Sequence, residues 1–221
     1  MANDPSAPTP AQIQAAVDSF HDLYYCSLGW DRNYYLGYQI KQCPLDLHLY
    51  QELVFRVRPG FIVQTGVAGG GSMLYFATLL DAIGADPAAV VVGIDIELTP
   101  EARTLKHPRI RLLEGSSADP DTLQAAEALL PRGGGLVSLD SDHTAAHVLK
   151  ELRLYQRLVG IGSYLVVEDT NLNGHPVYPG FGPGPWEAAQ AFLQEETRFV
   201  TDNEIWQRNL FSCHQWLRRE R

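Results

Sequence analysis

The chain has 221 residues, 45% of them hydrophobic and 19% charged, enough to bury one substantial core as a single domain. Against 26 Asp and Glu stand 17 Lys and Arg, and the net charge of −9 argues against a nucleic-acid backbone or an anionic membrane as the main partner, leaving small molecules. The start MANDPSAPTPAQ has neither the basic end nor the apolar stretch of a signal peptide, and no apolar run is long enough to span a bilayer, so a cytoplasmic protein is expected. Cys26, Cys43 and Cys213 are odd in number and far apart; they suggest neither a CxxC zinc site nor a disulfide framework and read as structural thiols.

Residues 1–10 read as a disordered start. Apolar residues at helical spacing predict helices over 11–25 and 44–57, separated by the aromatic, irregular segment WDRNYYLGYQIKQ, and together these form an N-terminal helical cap over 11–58. From residue 60 the pattern changes. A strand at 60–66 precedes a helix at 72–83, a strand at 89–96 and a short helix after TPEA. Then come a strand at 109–115, a helix at 119–130, a strand at 135–140, a helix at 143–157 and a strand at 163–169. TRFVT and NLFSCHQWL read as two last strands. Continuously apolar strands alternating with amphipathic helices predict an α/β core over 60–221, with a mostly parallel seven-stranded sheet covered by helices on both faces. Ligands of such sheets sit beyond the carboxyl ends of the strands.

Those ends are polar or glycine-rich. After the first strand comes QTGVAGGGS (64–72), whose glycines permit positive φ and close approach of a ligand to the backbone; it is neither GxGxxG nor a P-loop, which argues against phosphate binding. Asp95 ends the second strand, where an acid can accept from both ribose hydroxyls, with Glu97 the less favoured neighbour; Ser116 and Ser117 at the third tip face the edge of an adenine in this reading. A tight turn and a helix cap would explain the glycines and the acid equally well one at a time. Together the three tips describe a pocket for a nucleoside without phosphates, which suits S-adenosylmethionine better than NAD or ATP.

The fourth tip carries Asp140 and Asp142, and the fifth carries Glu168 and Asp169. If those strands are neighbours, the acids repel unless a cation intervenes, and oxygen ligands point to a hard divalent cation, Mg²⁺ first among them. His143, three residues after Asp140 at the opening of the next helix, suits a general base; the alternative is that Asp142 caps the helix and His143 is a solvated first-turn residue. His147 reads as helix surface or packing. The long Gly- and Pro-rich segment 171–186 carries Asn171, His175, Tyr178, Phe181 and Trp186 and reads as a substrate wall or lid, the alternative being an ordinary crossover loop; Tyr34, Tyr35 and Tyr38 of the cap close the other side, or else serve packing or a dimer surface.

On TGVAGGGS, VVGIDI, LEGSSADP, LDSDHTAAHV, YLVVEDTNLNGHPV and PGFGPGPWEA, the chain resembles the cephalosporin hydroxylase-like group of S-adenosylmethionine-dependent O-methyltransferases over about residues 45–195. It is similar, more distantly, to catechol O-methyltransferases. The resemblance implies a Rossmann-like class I methyltransferase fold, with Asp140, Glu168 and Asp169 as metal ligands and His143 as the base. It also implies Gly66 and Ser72 at the methionine end of the cofactor, Asp95 at the ribose, and Ser117 at the adenine; Gln64, Ser116 and Asp140 complete the expected cofactor-binding residues. Gln64 stands where the family usually has an acid. The acceptor implied is a small-molecule hydroxyl of a deoxysugar or polyketide in antibiotic biosynthesis, and the chain is expected to form a homodimer or higher homo-oligomer through its N-terminal segment. The alternative is a same-fold protein without methyl transfer: a hydroxylase component, a pericyclic catalyst or a non-catalytic binding subunit. No haem, flavin or two-His-one-carboxylate pattern supports oxygen chemistry.

Overall fold

A computed structural model describes residues 7–208 and 210–221. The expected disordered start falls mainly on residues 1–6, outside the described residues. Its last residues are ordered. Thr9 caps α1 (Pro10–Cys26), accepting from the Gln12 N–H while the Gln12 side chain accepts from the Thr9 N–H, and proline fills the first helical position, where its missing N–H costs nothing. The aromatic segment predicted as irregular holds a two-stranded antiparallel hairpin, β1 (Tyr34–Tyr35) and β2 (Tyr38–Gln39). Leu36 and Gly37 between them both take positive φ, the turn whose twist matches paired strands. Helix α2 (Pro44–Val57) completes the cap.

The core runs β3 (Phe61–Thr65), α3 (Gly71–Ala82), β4 (Val90–Asp95), β5 (Ile110–Glu114), α4 (Pro120–Glu127), β6 (Leu136–Leu139), α5 (Ala145–Tyr155), β7 (Tyr164–Val167), α6 (Pro185–Glu195), β8 (Phe199–Thr201), α7 (Asn203–Arg208) and β9 (Gln215–Arg219). Two boundaries differ from expectation. NLFSCHQWL is strand only from Gln215, and α5 begins at Ala145 because the Asp142 carboxylate accepts the Thr144 N–H at 2.8 Å, leaving His143 in the loop ahead of the helix.

The seven-stranded sheet has the order β5-β4-β3-β6-β7-β9-β8, parallel except where β9 pairs antiparallel with β7 and β8. Its order reverses between β3 and β6, which opens a crevice at their carboxyl ends. Thr65 pairs with Ile94 and with Leu139, and Leu139 with Val167, so the residues that follow, Gly66, Asp95, Asp140 and Glu168, share one edge. Alternate strand residues feed opposite faces: Ile62, Val91, Val166 and Trp216 pack with Tyr50, Leu53, Phe76 and Leu80, and Val63, Val137, Leu165 and Leu217 with Leu123, Leu152 and Phe192. Burial of each such side chain contributes about 1.5–3 kcal/mol, which holds the strand tips in register. No helix among the described residues is long and apolar enough to cross a membrane.

Candidate active site

One cavity of about 680 Å³ lies at the carboxyl edge of the sheet, lined by all the cofactor-side residues read from the sequence: Gln64, Gly66, Ser72, Asp95, Ser116, Ser117 and Asp140. Gly66 has φ +80, and a Cβ there would fall 1.8 Å from the Asp140 carbonyl oxygen, so glycine is required for β3 and β6 to approach at their tips. Both oxygens of Asp95 are turned to backbone: one accepts Val67 N–H at 2.8 Å and Ala68 N–H at 3.1 Å, the other Glu97 N–H at 3.2 Å. The carboxylate therefore shapes the glycine-rich loop as well as facing the cavity. Gln64 is buried; its Nε2 donates to the Gly66 carbonyl at 2.8 Å, and its Oε1 has no hydrogen-bond partner.

Beneath Ser117 lies a network centred on His147, which the sequence suggested as helix surface or packing. His147 lines the cavity, with Nε2 at 3.1 Å from Ser117 Oγ and 3.2 Å from Ser141 Oγ, while Ser141 donates to the fully buried Glu151 at 2.7 Å. The Glu151 carboxylate, 3.6 Å from Nε2, raises the His147 pKa.

At the other end of the cavity, Asp140, His143 and Asp169 each present a ligand-competent atom within 4.8 Å of the others. His143 Nε2 is 3.2 Å from Asp169 Oδ2, and the second Asp169 oxygen accepts the Tyr25 hydroxyl. Asp169 has φ +52, a left-handed backbone that costs a non-glycine residue about 1–3 kcal/mol and turns the chain sharply after Glu168. Burial, and then the charges of Glu168 and Asp169, hold the Asp140 carboxyl well above the usual carboxylate range. Glu168, expected beside Asp140 and Asp169, is outside this cluster and does not line the cavity. It is buried, with one oxygen accepting from Tyr50 (2.7 Å) and Ser138 and the other from Gln42 Nε2. Gln42 links the two carboxylates, because its Nε2 also donates to Asp140 Oδ2 at 3.2 Å, and the buried His214 stands at 3.2 Å from Gln42 Oε1.

Of the five residues assigned to a substrate wall, Tyr178 and Phe181 line the cavity. Asn171, His175 and Trp186 do not; they line a separate cavity of about 360 Å³. The cause is Glu187 at the start of α6, which accepts from Asn173 (2.9 Å), His175 (3.0 Å) and the Gly184 N–H (2.8 Å) and so folds the first half of the loop back on the helix. Nor do Tyr34, Tyr35 and Tyr38 close the cavity: Tyr34 is exposed, Tyr35 bonds Thr78 and Tyr38 bonds Thr104. The cap aromatics that do line it are Tyr24, Tyr25 and Trp30. Nothing in the spacing of Tyr24 and Tyr25 distinguishes them from core residues of α1, and Trp30 lies in the segment that follows it.

Parallel strands reversing order at β3 and β6, a glycine-rich first tip and an antiparallel β9 make this a Rossmann-like methyltransferase fold. The family model for rhamnosyl O-methyltransferase/CmcI matches residues 29–220, and the chain belongs to that family. A rhamnosyl O-methyltransferase of Mycobacterium tuberculosis (strain ATCC 25618 / H37Rv) is 37% identical over 183 residues, covering 82% of this chain and 74% of the relative. That of Mycobacterium leprae (strain TN) is 37% identical over 184 residues, covering 81% and 78%. Among solved structures, CmcI with Mg and SAM superposes with a TM-score of 0.65 at 22% identity, covering 86% of this chain and 78% of that one. The MycE methyltransferase from the mycinamycin biosynthetic pathway, in complex with Mg, SAH and mycinamycin VI, gives 0.55 at 19% identity, covering 79% of this chain and 49% of that one.

Proposed function

We propose that the protein is an S-adenosylmethionine-dependent, Mg²⁺-assisted O-methyltransferase whose acceptor is a hydroxyl of a deoxysugar, with a rhamnosyl group as the first candidate. The observation that carries this reading is the single cavity that joins the glycine-rich loop, Asp95 and Ser117 at one end to Asp140, His143 and Asp169 at the other. It is long enough in chemistry, nucleoside side to carboxylate side, to hold donor and acceptor together.

The residues fit both groups. The orphaned Gln64 Oε1 offers an acceptor to the ammonium group of a methionine moiety, replacing with an amide dipole the charge that an acid would supply. Asp140 and Asp169 offer the oxygen donors that a hard cation takes, and an Asp140 carboxyl held up by neighbouring negative charge is relieved by one. In this assignment Glu168 is a buttress: with Gln42 it fixes the direction of Asp140 through two donated N–H bonds. Bound Mg²⁺ would lower the pKa of the acceptor hydroxyl and fix its orientation.

The chain's own groups then do the rest. When His143 donates Nε2–H to Asp169, Nδ1 keeps its lone pair and takes the proton from the acceptor hydroxyl. S-adenosylmethionine, when bound, would supply the methyl group, the acceptor oxygen gaining the O–C bond as the S–C bond breaks and S-adenosylhomocysteine is released. Tyr178, Phe181 and Trp30 offer the acceptor aromatic faces to pack against. Exposed Leu23, Tyr34 and Leu36 on the cap suit pairing of two copies, which light scattering tests. For the activity, purified protein is incubated with S-adenosylmethionine, Mg²⁺ and rhamnose-bearing glycosides. A methyl mass gain on the sugar supports the reading, and consumption of no acceptor hydroxyl class under saturating cofactor contradicts it.

A further inference from the structure

Read along the chain, Cys43 and Cys213 lie far apart; the fold brings them together. Cys43 is the N-cap of α2 and Asp46 lies three residues on, so the Cys-Pro-Leu-Asp segment aims a sulfur and a carboxylate from the same first turn. Cys213 arrives from the loop ahead of β9 and is locked in place: its N–H donates to Asp46 Oδ2 at 3.1 Å, and Ser212 Oγ donates to Asp46 Oδ1 at 2.6 Å. Cys43 Sγ, Cys213 Sγ and an Asp46 oxygen lie within 4.8 Å of one another, and all three residues are buried.

We propose that Cys43, Asp46 and Cys213 form a second metal site, selective for a thiophilic cation of the zinc class and separate from the oxygen-rich cluster of Asp140 and Asp169. Tetrahedral ligation at about 2.3 Å for sulfur and about 2.1 Å for oxygen sets ligand atoms roughly 3.5 Å apart, so the three need at most roughly 1.3 Å of closure. Two sulfurs select zinc or cadmium over magnesium, as hard cations bind thiolates poorly. The bonds from Ser212 and the Cys213 N–H orient the carboxylate and leave lone pairs free for an ion.

Beyond the bonds it accepts from Ser212 and the Cys213 N–H, the Asp46 carboxylate faces the two thiols, whose S–H groups are weak donors, with the buried His214 Nε2 at 3.6 Å; a cation would replace the weak sulfur contacts with ligand bonds. Access supports the site, because both cysteines line the main cavity. An ion here would clamp the first turn of α2 to the start of β9 and stiffen the cavity wall that carries Cys43 and Cys213.

The test uses the full chain, kept reduced, and Cd²⁺ alone as the probe, read by the ultraviolet sulfur-to-cadmium charge-transfer band and by the melting temperature. One ion per chain is expected, with a band that is halved in Cys43→Ser or Cys213→Ser, lost in the double variant, displaced by Zn²⁺ and not by excess Mg²⁺. Cys26→Ser and Asp140→Asn are expected to keep it, which separates this site from the exposed thiol and from the methyl-transfer reading. Absence of the band in the reduced wild-type protein overturns the proposal whether or not the variants fold. So does a band that survives the double variant, or a wild-type melting temperature that saturating Cd²⁺ fails to raise.

Discussion

Gln64→Glu restores the acid usual in the family and is expected to make the free protein less stable while making S-adenosylmethionine a stronger stabiliser. Gln64 Nε2 gives the Gly66 carbonyl its hydrogen bond at 2.8 Å, and an ionised glutamate has no hydrogen to give. Two oxygens then face each other in a buried place, and losing the donor to a buried acceptor costs about 1–3 kcal/mol. For a chain of this length each kcal/mol moves the melting temperature by roughly 2–4 °C, so a fall of about 2–12 °C is expected at about pH 8. The introduced acid escapes this by holding a proton and donating O–H to Gly66, which raises its folded pKa above the unfolded value of about 4.3. Folded protein then binds the proton more tightly than the unfolded chain, so the deficit is absent below that value and grows as pH rises through the raised pKa. Differential scanning fluorimetry across pH, with and without S-adenosylmethionine, reads both effects. An unchanged melting temperature at the alkaline end would refute the assigned hydrogen bond. A ligand-induced shift no larger than that of the wild type would refute the placement of the cofactor's ammonium at this side chain.

Three further outcomes follow from the site. His143→Ala is expected to lower kcat by about 10²–10⁴ with little change in KM, measured by S-adenosylhomocysteine release, and an unchanged kcat removes it as the base. The Gly184 N–H, His175 and Asn173, outweighing burial, pull the Glu187 pKa down to about 2. Its depressed value means that the stability it adds is complete above the ordinary glutamate range and is lost as pH falls toward about 2. Glu187 is partly exposed, so screening reduces its contribution to about 1 kcal/mol, and Glu187→Gln should show a small melting deficit near neutrality that shrinks in acid; a deficit independent of pH contradicts the clasp. Tyr178→Ala is expected to raise the acceptor KM several-fold while leaving the S-adenosylmethionine affinity unchanged, and equal effects on both would move Tyr178 away from the acceptor end.

Most of the core was legible because its strands are short and apolar through, with helices of clear period between them, and β3 to β7 follow in that order. The polar tips were legible for the same reason: a residue directly after a parallel strand has one place to go. Glu168 and Asp169 show where this fails. Both follow β7, yet a left-handed turn at Asp169 sends one carboxylate to Tyr50, Ser138 and Gln42 and the other to the cavity, and of these partners Tyr50 and Gln42 lie more than a hundred residues away in the chain. The cap was the least legible part. Tyr24, Tyr25 and Trp30 line the cavity while Tyr34, Tyr35 and Tyr38 do not, and aromatic composition carries no sign of which hairpin or helix face meets the sheet. The pairing of Cys43 with Cys213 and the link from His214 through Gln42 to Asp140 arise only when the cap docks.

Calorimetric titration of S-adenosylmethionine into the purified protein, with Mg²⁺ present and with it chelated, and repeated in Asp140→Asn, tests the central claim most directly. The account predicts cofactor binding in both conditions, with a separate Mg²⁺ uptake that is lost in the variant. No cofactor binding in either condition, or a Mg²⁺ titration unaltered by Asp140→Asn, would contradict it.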